Sequence, residues 1–263
     1  MKKMTFLVGL LLSLSLQAKV LIITDIDDTV KQTNVSNVFS MILSNFGGTK
    51  DFPHMKDVFR EIAEHHKNEK IEITFTSGSI KCVTNQKKWL SKREFPAGLL
   101  IQRRCNNGEF SYRVPTKDFK IKAVSSLLRQ LDQSNHEIYL FGDSGEKDPE
   151  VFKAIQEAFP HLNFHVFIRD ISAKAVYFDD RLPQIKVEGN NYFLTELDLY
   201  NFPDFNFLSN QLKDSLKADL KDGKLFASYQ DNILAKRLHK EAGLKKKESK
   251  ELANTLLRNY YAH

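Results

Sequence analysis

The sequence has little of several residue types whose abundance defines whole classes of protein. Its 263 residues include only 2 Cys, 7 Pro and 11 Gly, against 20 Phe. These counts exclude collagen-like chains, disulfide-rich scaffolds and disordered chains. After residue 18 the sequence also lacks any apolar stretch approaching the roughly 20 residues that a membrane-spanning helix needs. A polytopic membrane protein is therefore excluded, and a globular fold is expected.

The first 18 residues differ from the rest. Lys2 and Lys3 precede a short apolar run over residues 6–16, and the small residue Ala18 ends the segment. This pattern predicts a secretory signal peptide, 1–18, and hence a periplasmic or secreted protein. The alternative is an apolar N-terminal helix that stays attached. Removal of the segment would lower the formal net charge from +6 to +4, a surplus too small to favour nucleic acid as a partner.

Apolar runs alternate with helical patterns along the next part of the chain. This alternation predicts an α/β fold with a parallel sheet flanked by helices. Strands are predicted at 20–24, 71–76, 99–102, 137–141 and 164–168, an extended piece at 110–114, and helices at 35–45, 55–67, 84–90, 120–131 and 149–159.

From about residue 209 the pattern predicts helices only, at 208–220, 225–242 and 245–260. We therefore expect one domain over 19–208 and a helical C-terminal extension over 209–263. The extension either packs on the domain as a solvated helical element or contacts a membrane surface or a partner. The lysines at 245–247 motivate the second interpretation.

Three carboxylates follow the first predicted strand within four residues. Asp25, Asp27 and Asp28 repel one another, so they are tolerable at a strand end mainly when a cation neutralises them or solvent screens them. In an open parallel sheet this end of a strand faces the ligand crevice. An isolated cluster of this kind would more often be an exposed acidic turn.

Later strands place further polar groups at the same edge. The second strand is predicted to end in Ser77-Gly78-Ser79, which offers hydroxyl and N–H donors for phosphoryl oxygens at a helix start. Lys120 is expected to open a helix and bring a cation, with Lys117 and Lys122 as competitors for that role. The fourth strand is followed by Asp143 and Asp148, of which Asp148 is alternatively a helix N-cap.

In this order the motifs resemble those of the haloacid dehalogenase (HAD) superfamily of phosphohydrolases. The finer match, over roughly residues 20–180, is similar to the catalytic domain of the actin-patch-associated phosphatidate phosphatases. One departure is Ile80, where many members of that family carry proline. The residues that carry the resemblance are the run 25–31 that contains Asp25, Asp27 and Thr29, then Ser77-Gly78-Ser79, Lys120, the run 142–150 that contains Asp143 and Asp148, and Ile168-Arg169-Asp170.

The resemblance implies a HAD-like Rossmannoid sheet and a catalytic role for two carboxylates. Asp25 would attack phosphorus to form an aspartyl-phosphate, and Asp27 would act as general acid and then as general base. Magnesium is the expected metal because it is hard and prefers oxygen ligands. The implied metal ligands are Asp25, Asp143 and the main-chain carbonyl of Asp27, with Asp148 in the outer shell or bracing Lys120, and the implied substrate-binding residues are Thr29, Ser77, Gly78 and Lys120.

Substrate class depends on what covers such a site. The segments 31–70 and 80–119 leave little room for a cap domain, so the predicted cap is minimal and a bulky substrate is expected. Phosphatidate is what the closest resemblance suggests, with peripheral membrane contact and a monomeric protein. The alternatives are a phosphatase of nucleotides, phosphoproteins or sugar phosphates, and a phosphate-binding module without turnover.

Cysteines and histidines give weaker indications. Cys82 and Cys105 pair if the protein reaches an oxidising compartment, or else remain two buried thiols. The eight histidines are scattered along the sequence without the spacing of a zinc site, and surface positions are expected for them.

Overall fold

The computed structural model describes residues 19–32, 51–52, 54–108, 110–131, 136–145, 147–171, 187–221 and 245–260. These residues form strands, helices and two short 3₁₀ helices. In chain order they are β1 (Lys19–Asp25), α1 (Met55–His65), β2 (Lys70–Ile80), α2 (Gln86–Lys92), β3 (Leu99–Arg103), α3 (Thr116–Leu128), β4 (Glu137–Asp143), α4 (Asp148–Ala158), β5 (Asn163–Arg169), β6 (Asn191–Phe193), the 3₁₀ helices Glu196–Asn201 and Pro203–Phe205, α5 (Asn210–Lys221) and α6 (Lys246–Tyr260).

The six strands form one sheet in the order β3-β2-β1-β4-β5-β6, and every neighbouring pair is parallel. The predicted α/β class with a parallel sheet flanked by helices is confirmed. β1 lies in the interior of the sheet, which explains why its residues are apolar without alternation. Chain order runs from β1 toward β3 on one side and from β4 toward β6 on the other, so the order reverses between β1 and β4.

Alternate residues of β1 enter two separate apolar layers. Val20 and Ile22 face a cluster that contains the buried face of α1, whereas Leu21 and Ile23 face a cluster built from α3 and α4. This alternation is the two-residue period of a strand. The helix α1 buries Met55, Val58, Phe59 and Ile62, the spacing that predicted it.

Residues 196–221 pack on the same layer as α1, and we call them the C-terminal packing segment. Its Leu208, Leu212 and Leu216 are buried in the cluster that also contains Val58 and Phe59. The first helix of the predicted extension therefore belongs to the packed core. The division of the chain at residue 208 stays a prediction.

Some predicted elements differ from the structure. Residues 110–114 form turns with a single bridge between Arg104 and Ser111, because Ser111 and Val114 donate to carbonyls three residues earlier. The sixth strand, β6, was not predicted. Predicted helices 35–45 and 225–242 and the predicted signal peptide lie outside the described residues. Among the helices that the structure describes, none has the length and apolarity needed to cross a membrane.

Candidate active site

The candidate active site lies at the carboxyl edge of the sheet, where the strand order reverses. β1 ends at Asp25, β4 ends at Asp143, and β2 passes the same edge on the other side of β1. Loops at such a reversal diverge and leave a crevice, which is where open α/β sheets bind ligands. The topology alone therefore brings the predicted residues of three strands together.

Three buried carboxylates meet at this edge. Asp25, Asp143 and Asp148 each place a carboxylate oxygen within 4.8 Å of the others. The ammonium group of Lys120 lies 2.8 Å from Oδ1 of Asp25 and 2.5 Å from Oδ1 of Asp148. The carboxylate of Asp27 is not a member of this cluster, and the predicted metal contact of its main-chain carbonyl stays a prediction.

Short backbone contacts hold Asp143 and Asp148 in this arrangement. Oδ2 of Asp148 accepts from the N–H of Asp143 at 3.2 Å, and Oδ1 of Asp143 accepts from the N–H of Gly145 at 2.8 Å. A Cβ at Gly142 would lie 2.6 Å from Cβ of Asp148. Glycine is therefore required at 142 for the start of α4 to approach the end of β4 so closely.

Of the three candidate lysines, Lys120 is the one at this edge. It is buried, which contradicts the alternative of an ordinary solvated lysine. Lys122 is exposed, and Lys117 pairs with Glu150 at 2.8 Å. The expectation that Lys120 opens its helix was wrong, because α3 begins at Thr116 after Pro115. Lys120 thus lies one turn inside the helix, and its long side chain reaches the strand ends.

Asp148 does not act as the N-cap of α4. The helix begins at Asp148 itself, Lys147 is the capping position, and Pro149 occupies the first turn. The side chain of Asp148 instead accepts hydrogen bonds from Nζ of Lys120 and from the N–H of Asp143. This arrangement agrees with a bracing position better than with a direct metal ligand.

Asp27 lies against the residues from β2. Its Oδ2 accepts from the hydroxyl of Ser77 at 3.0 Å, and that hydroxyl also lies 2.5 Å from the hydroxyl of Ser79. The predicted position of Ser77-Gly78-Ser79 at a helix start was wrong. β2 continues to Ile80 with an irregular register after Ser77, and the next helix, α2, begins only at Gln86. Pairing of Ile80 with Arg103 of β3 extends the strand past the serines.

The turn after β1 is fastened from the other side by Arg169. Its guanidinium donates to the carbonyl of Thr29 at 3.1 Å, pairs with Glu196 at 2.7 Å, and stacks on Phe52 at 3.8 Å from the ring centroid. The hydroxyl of Thr29 is buried and has no hydrogen-bond partner among the described residues. Asp28 adopts a positive φ of 59°, a conformation that aspartate tolerates better than most residues. This turn positions both Asp25 and Asp27.

Carboxyl groups outnumber ammonium groups among the residues described at this site. In the described part of the chain, five buried carboxyl groups at or beside this edge face two buried ammonium groups, those of Lys31 and Lys120; the five are Asp25, Asp27, Asp28, Asp143 and Asp148. Like charges buried close together repel one another, which is costly. A divalent cation held by oxygen ligands would offset the excess, so the donor set fits a hard metal ion.

A disulfide closes the rim of the site. Cys82 and Cys105 are bonded, joining the segment after β2 to the segment after β3. Arg103 adds to this connection, because its guanidinium donates to the carbonyl of Gly78 at 3.3 Å and to that of Val114 at 2.6 Å. The carbonyl of Gly78 therefore already accepts a hydrogen bond from Arg103. The pairing of the cysteines settles the choice that the sequence left open.

Sequence reasoning gave no role to two residues of the site. The amide of Gln86 contacts Asp27, Ser77 and Ser79, and Lys31 contacts both Gln86 and Asp27. Lys31 follows Asp27 by four residues, a proximity that could have signalled its role. Gln86 carries no signal in the sequence, because its approach to Asp27 depends on how α2 returns toward the sheet edge.

Comparison with known proteins gives one match. The family model described as "Phosphatidate phosphatase APP1, catalytic domain" matches residues 20–170, more than half of the chain. Comparisons with curated proteins and with solved structures found no match. The matched range contains β1 from Val20 onward, the strands β2 to β5, and the five aspartates of the acidic edge.

Proposed function

The chain belongs to the family of the phosphatidate phosphatase APP1 catalytic domain, and from this premise we propose that it is an exported, Mg²⁺-dependent enzyme of the HAD superfamily that hydrolyses phosphatidate through an aspartyl-phosphate. Family membership makes it a phosphatase. The single observation that carries the proposal is the contact of Lys120 with Asp25 beside Asp143, buried where the strand order reverses.

Asp25 is the nucleophile in this proposal. Its carboxylate oxygen bonds to phosphorus while the bond from phosphorus to the leaving oxygen breaks, and Asp27 gives its proton to that oxygen. Asp27 then takes a proton from water, and the water oxygen bonds to phosphorus while the bond to Asp25 breaks. Inorganic phosphate leaves, and both carboxyl groups return to their starting states.

The remaining residues bind the phosphoryl group. Lys120 and Ser77 face the two catalytic carboxylates and supply a cation and a hydroxyl donor for phosphoryl oxygens. Asp25 and Asp143, with Asp148 behind them, would hold Mg²⁺, which when bound neutralises charge on the transferring phosphoryl group. Thr29 offers its buried hydroxyl at the same turn.

Export to an oxidising compartment, periplasmic or extracellular, is part of the proposal. The disulfide between Cys82 and Cys105 supports it, because disulfides persist in oxidising compartments and are rare in the cytosol. The predicted signal peptide and a monomeric state belong to the same proposal. Peripheral contact with a membrane would follow from a lipid substrate, since the chain has no predicted span after residue 18.

The test of the mechanism is substitution of the two carboxylates. Asp25→Asn and Asp27→Asn should each lower magnesium-dependent phosphate release from phosphatidate by at least about 1,000-fold, because each removes a group that takes part in bond making or proton transfer. Asp118→Asn is the matched control, since Asp118 is exposed on the same helix as Lys120. Wild-type turnover by Asp25→Asn would eliminate the proposed nucleophile.

Substrate class is tested separately with the wild-type protein. Phosphatidate in liposomes should be turned over faster than a soluble short-chain analogue and faster than nucleotides, phosphopeptides and sugar phosphates. Liposomes of neutral lipid containing no phosphatidate serve as the binding control. A preference for a soluble phosphate monoester would leave the phosphatase mechanism intact and overturn the lipid assignment.

A further inference from the structure

Gln86 has no part in the mechanism described above, yet it is one of the most buried polar residues near the site. It is the first residue of α2, directly after Asn85. The side chain of Asn85 caps the helix by accepting from the N–H of Lys88 at 3.0 Å. This cap fixes the backbone of the first turn, and so fixes where the side chain of Gln86 begins.

The amide of Gln86 lies between opposite charges. Its nitrogen is 3.3 Å from Oδ1 and 3.2 Å from Oδ2 of Asp27, and its oxygen accepts from Nζ of Lys31 at 3.3 Å. The reverse orientation would place the amide oxygen against a carboxylate and the NH₂ group against an ammonium group. The charges on the two sides therefore select one orientation of the amide.

The same nitrogen also reaches the serines of β2. Oγ of Ser79 lies 3.1 Å from it, and Oγ of Ser77 lies 3.4 Å from it. An amide nitrogen has two hydrogens, so one can serve Asp27 while the other serves a serine hydroxyl. Gln86 thereby fixes the carboxyl group of Asp27 relative to the residues that are proposed to bind the phosphoryl group.

Lys31 fixes Gln86 in turn. Its ammonium group lies 3.8 Å from Oδ1 of Asp27 and 5.6 Å from the centroid of the Trp89 ring, one turn along α2 from Gln86. The lysine is buried, so this contact is not shared with bulk solvent. Lys31, Gln86 and Asp27 therefore form a connected set in which each member restricts the next.

We infer that Gln86 is a positioning residue that holds the carboxyl group of Asp27 in the orientation needed for proton transfer to the leaving oxygen. The inference rests on the proposed function, since it takes Asp27 as the general acid. It does not depend on the identity of the substrate beyond a phosphate monoester. Misplacing a reacting group by about 1 Å can lower a rate by about 100-fold.

The leaving group provides the test, because only a basic leaving oxygen needs the proton. Phenyl phosphate and p-nitrophenyl phosphate are similar in shape, and p-nitrophenolate is the weaker base, which departs more readily without a proton. For Gln86→Ala we expect kcat/KM for phenyl phosphate to fall about 100-fold and that for p-nitrophenyl phosphate to fall less than about 10-fold. The quantity kcat/KM is chosen because it excludes the later hydrolysis of the aspartyl-phosphate.

Gln102→Ala is the matched control. The amide of Gln102 contacts the same network at Ser79, at 3.0 Å, and at Thr84, at 2.6 Å, but no contact with Asp27 is described for it. Its loss should lower kcat/KM for both aryl phosphates by the same factor, because it disturbs the serine loop without reorienting the acid. Gln86→Asn keeps the amide on a shorter side chain and should give an intermediate ratio between the two substrates.

The ratio between the two substrates does not depend on how much of a variant is folded, so a destabilised variant still gives an answer. An equal loss on both substrates in Gln86→Ala, with a selective loss in Asp27→Asn, would overturn the positioning role and leave the proposed function standing. If Asp27→Asn itself lowers kcat/KM equally for both aryl phosphates, Asp27 is not the general acid, and the proposed function is wrong on this point before the role of Gln86 is considered. A selective loss in both variants, with an equal loss in Gln102→Ala, is the expected result.

Discussion

Two regions of the molecule bury charged groups in different ways. At the carboxyl edge of the sheet, the described residues include five buried carboxyl groups and two buried lysines. Where the C-terminal packing segment meets the rest of the fold, two pairs of opposite charge are described: Arg169 pairs with Glu196, and His54 with Asp219. Among the described residues, the first region holds more buried carboxyl groups than buried lysines, whereas the second holds these pairs of opposite charge.

The difference shows what each region is organised for. Residues that serve only the fold are expected to satisfy buried charge locally, because unpaired buried charge is costly. An active site keeps groups that are unfavourable for stability when they are needed for binding and catalysis. We therefore expect a bound cation to stabilise the acidic edge and to leave the packing segment unaffected.

Of the substitutions that test this comparison, Asp143→Asn should change stability in the presence of magnesium the most. If metal binding stabilises the wild-type protein by about 4.1 kcal/mol at 1,000 times the dissociation constant, magnesium should raise its melting temperature by roughly 8–16 °C. The variant should lose most of that shift, because it removes the charge of one proposed ligand. Its amide oxygen can still accept from the N–H of Gly145. Melting curves with magnesium and with a chelator measure both effects.

The chelated protein provides the sharper half of this test. Without metal, Asp143→Asn should be at least as stable as the wild-type protein, since it removes one of the repelling carboxylates. Asp118→Asn, at an exposed position, should keep the full magnesium shift. A lower melting temperature of Asp143→Asn in chelator would mean that the acidic edge is balanced without metal, and the contrast between the two regions would disappear.

Leu216→Ala, in the C-terminal packing segment, should cause the next largest change in stability. The side chain of Leu216 is fully buried in the cluster shared with α1, so its truncation should lower the free energy of unfolding by about 3 kcal/mol. Urea titration at constant metal concentration measures the change. Leu252→Ala, at an exposed position on α6, should change it by less than about 0.5 kcal/mol. Equal effects would show that the packing segment contributes no core.

The sequence allowed most of the sheet to be predicted, because buried parallel strands are apolar throughout and end in conspicuous polar residues. It did not allow β6 to be predicted, since Asn191–Phe193 is three residues long and its pairing with β5 arises only in the folded chain. Within the site, residues next to strand ends were found by their position. Gln86 was not, because nothing local links it to Asp27 across 59 residues.

Histidines were the clearest error in the sequence-based expectations. They were expected at the surface, but His54 is buried at the start of α1 and lies 3.1 Å from Asp219 of α5 and 3.4 Å from Asp57. Burial alone would lower the pKa of His54, but the carboxylates of Asp57 and Asp219 outweigh burial and raise it, with a smaller contribution from Glu196. Local sequence does not show this, because Asp219 is 165 residues away.

His54→Gln should cause the smallest change in the free energy of unfolding, and this change should depend on pH. With a folded pKa above the unfolded value of 6.5, protonated His54 contributes its full stabilisation below about pH 6.5, and this contribution is lost as pH rises through the folded pKa. The difference in unfolding free energy between wild type and variant should therefore be largest at pH 6 and shrink toward pH 9. Urea titrations across this range measure it.

Asp219→Asn is the partner variant for this test. It removes one of the two carboxylates that contact His54, so it should remove part of the pH-dependent difference in unfolding free energy. In the double variant, His54→Gln should therefore lower the free energy of unfolding by less than it does in the wild-type background. A difference that grows with pH would mean that His54 is neutral in the folded protein. The packing segment would then place Asp219 beside a neutral imidazole, and the pair of opposite charge that distinguishes this region from the acidic edge would be absent.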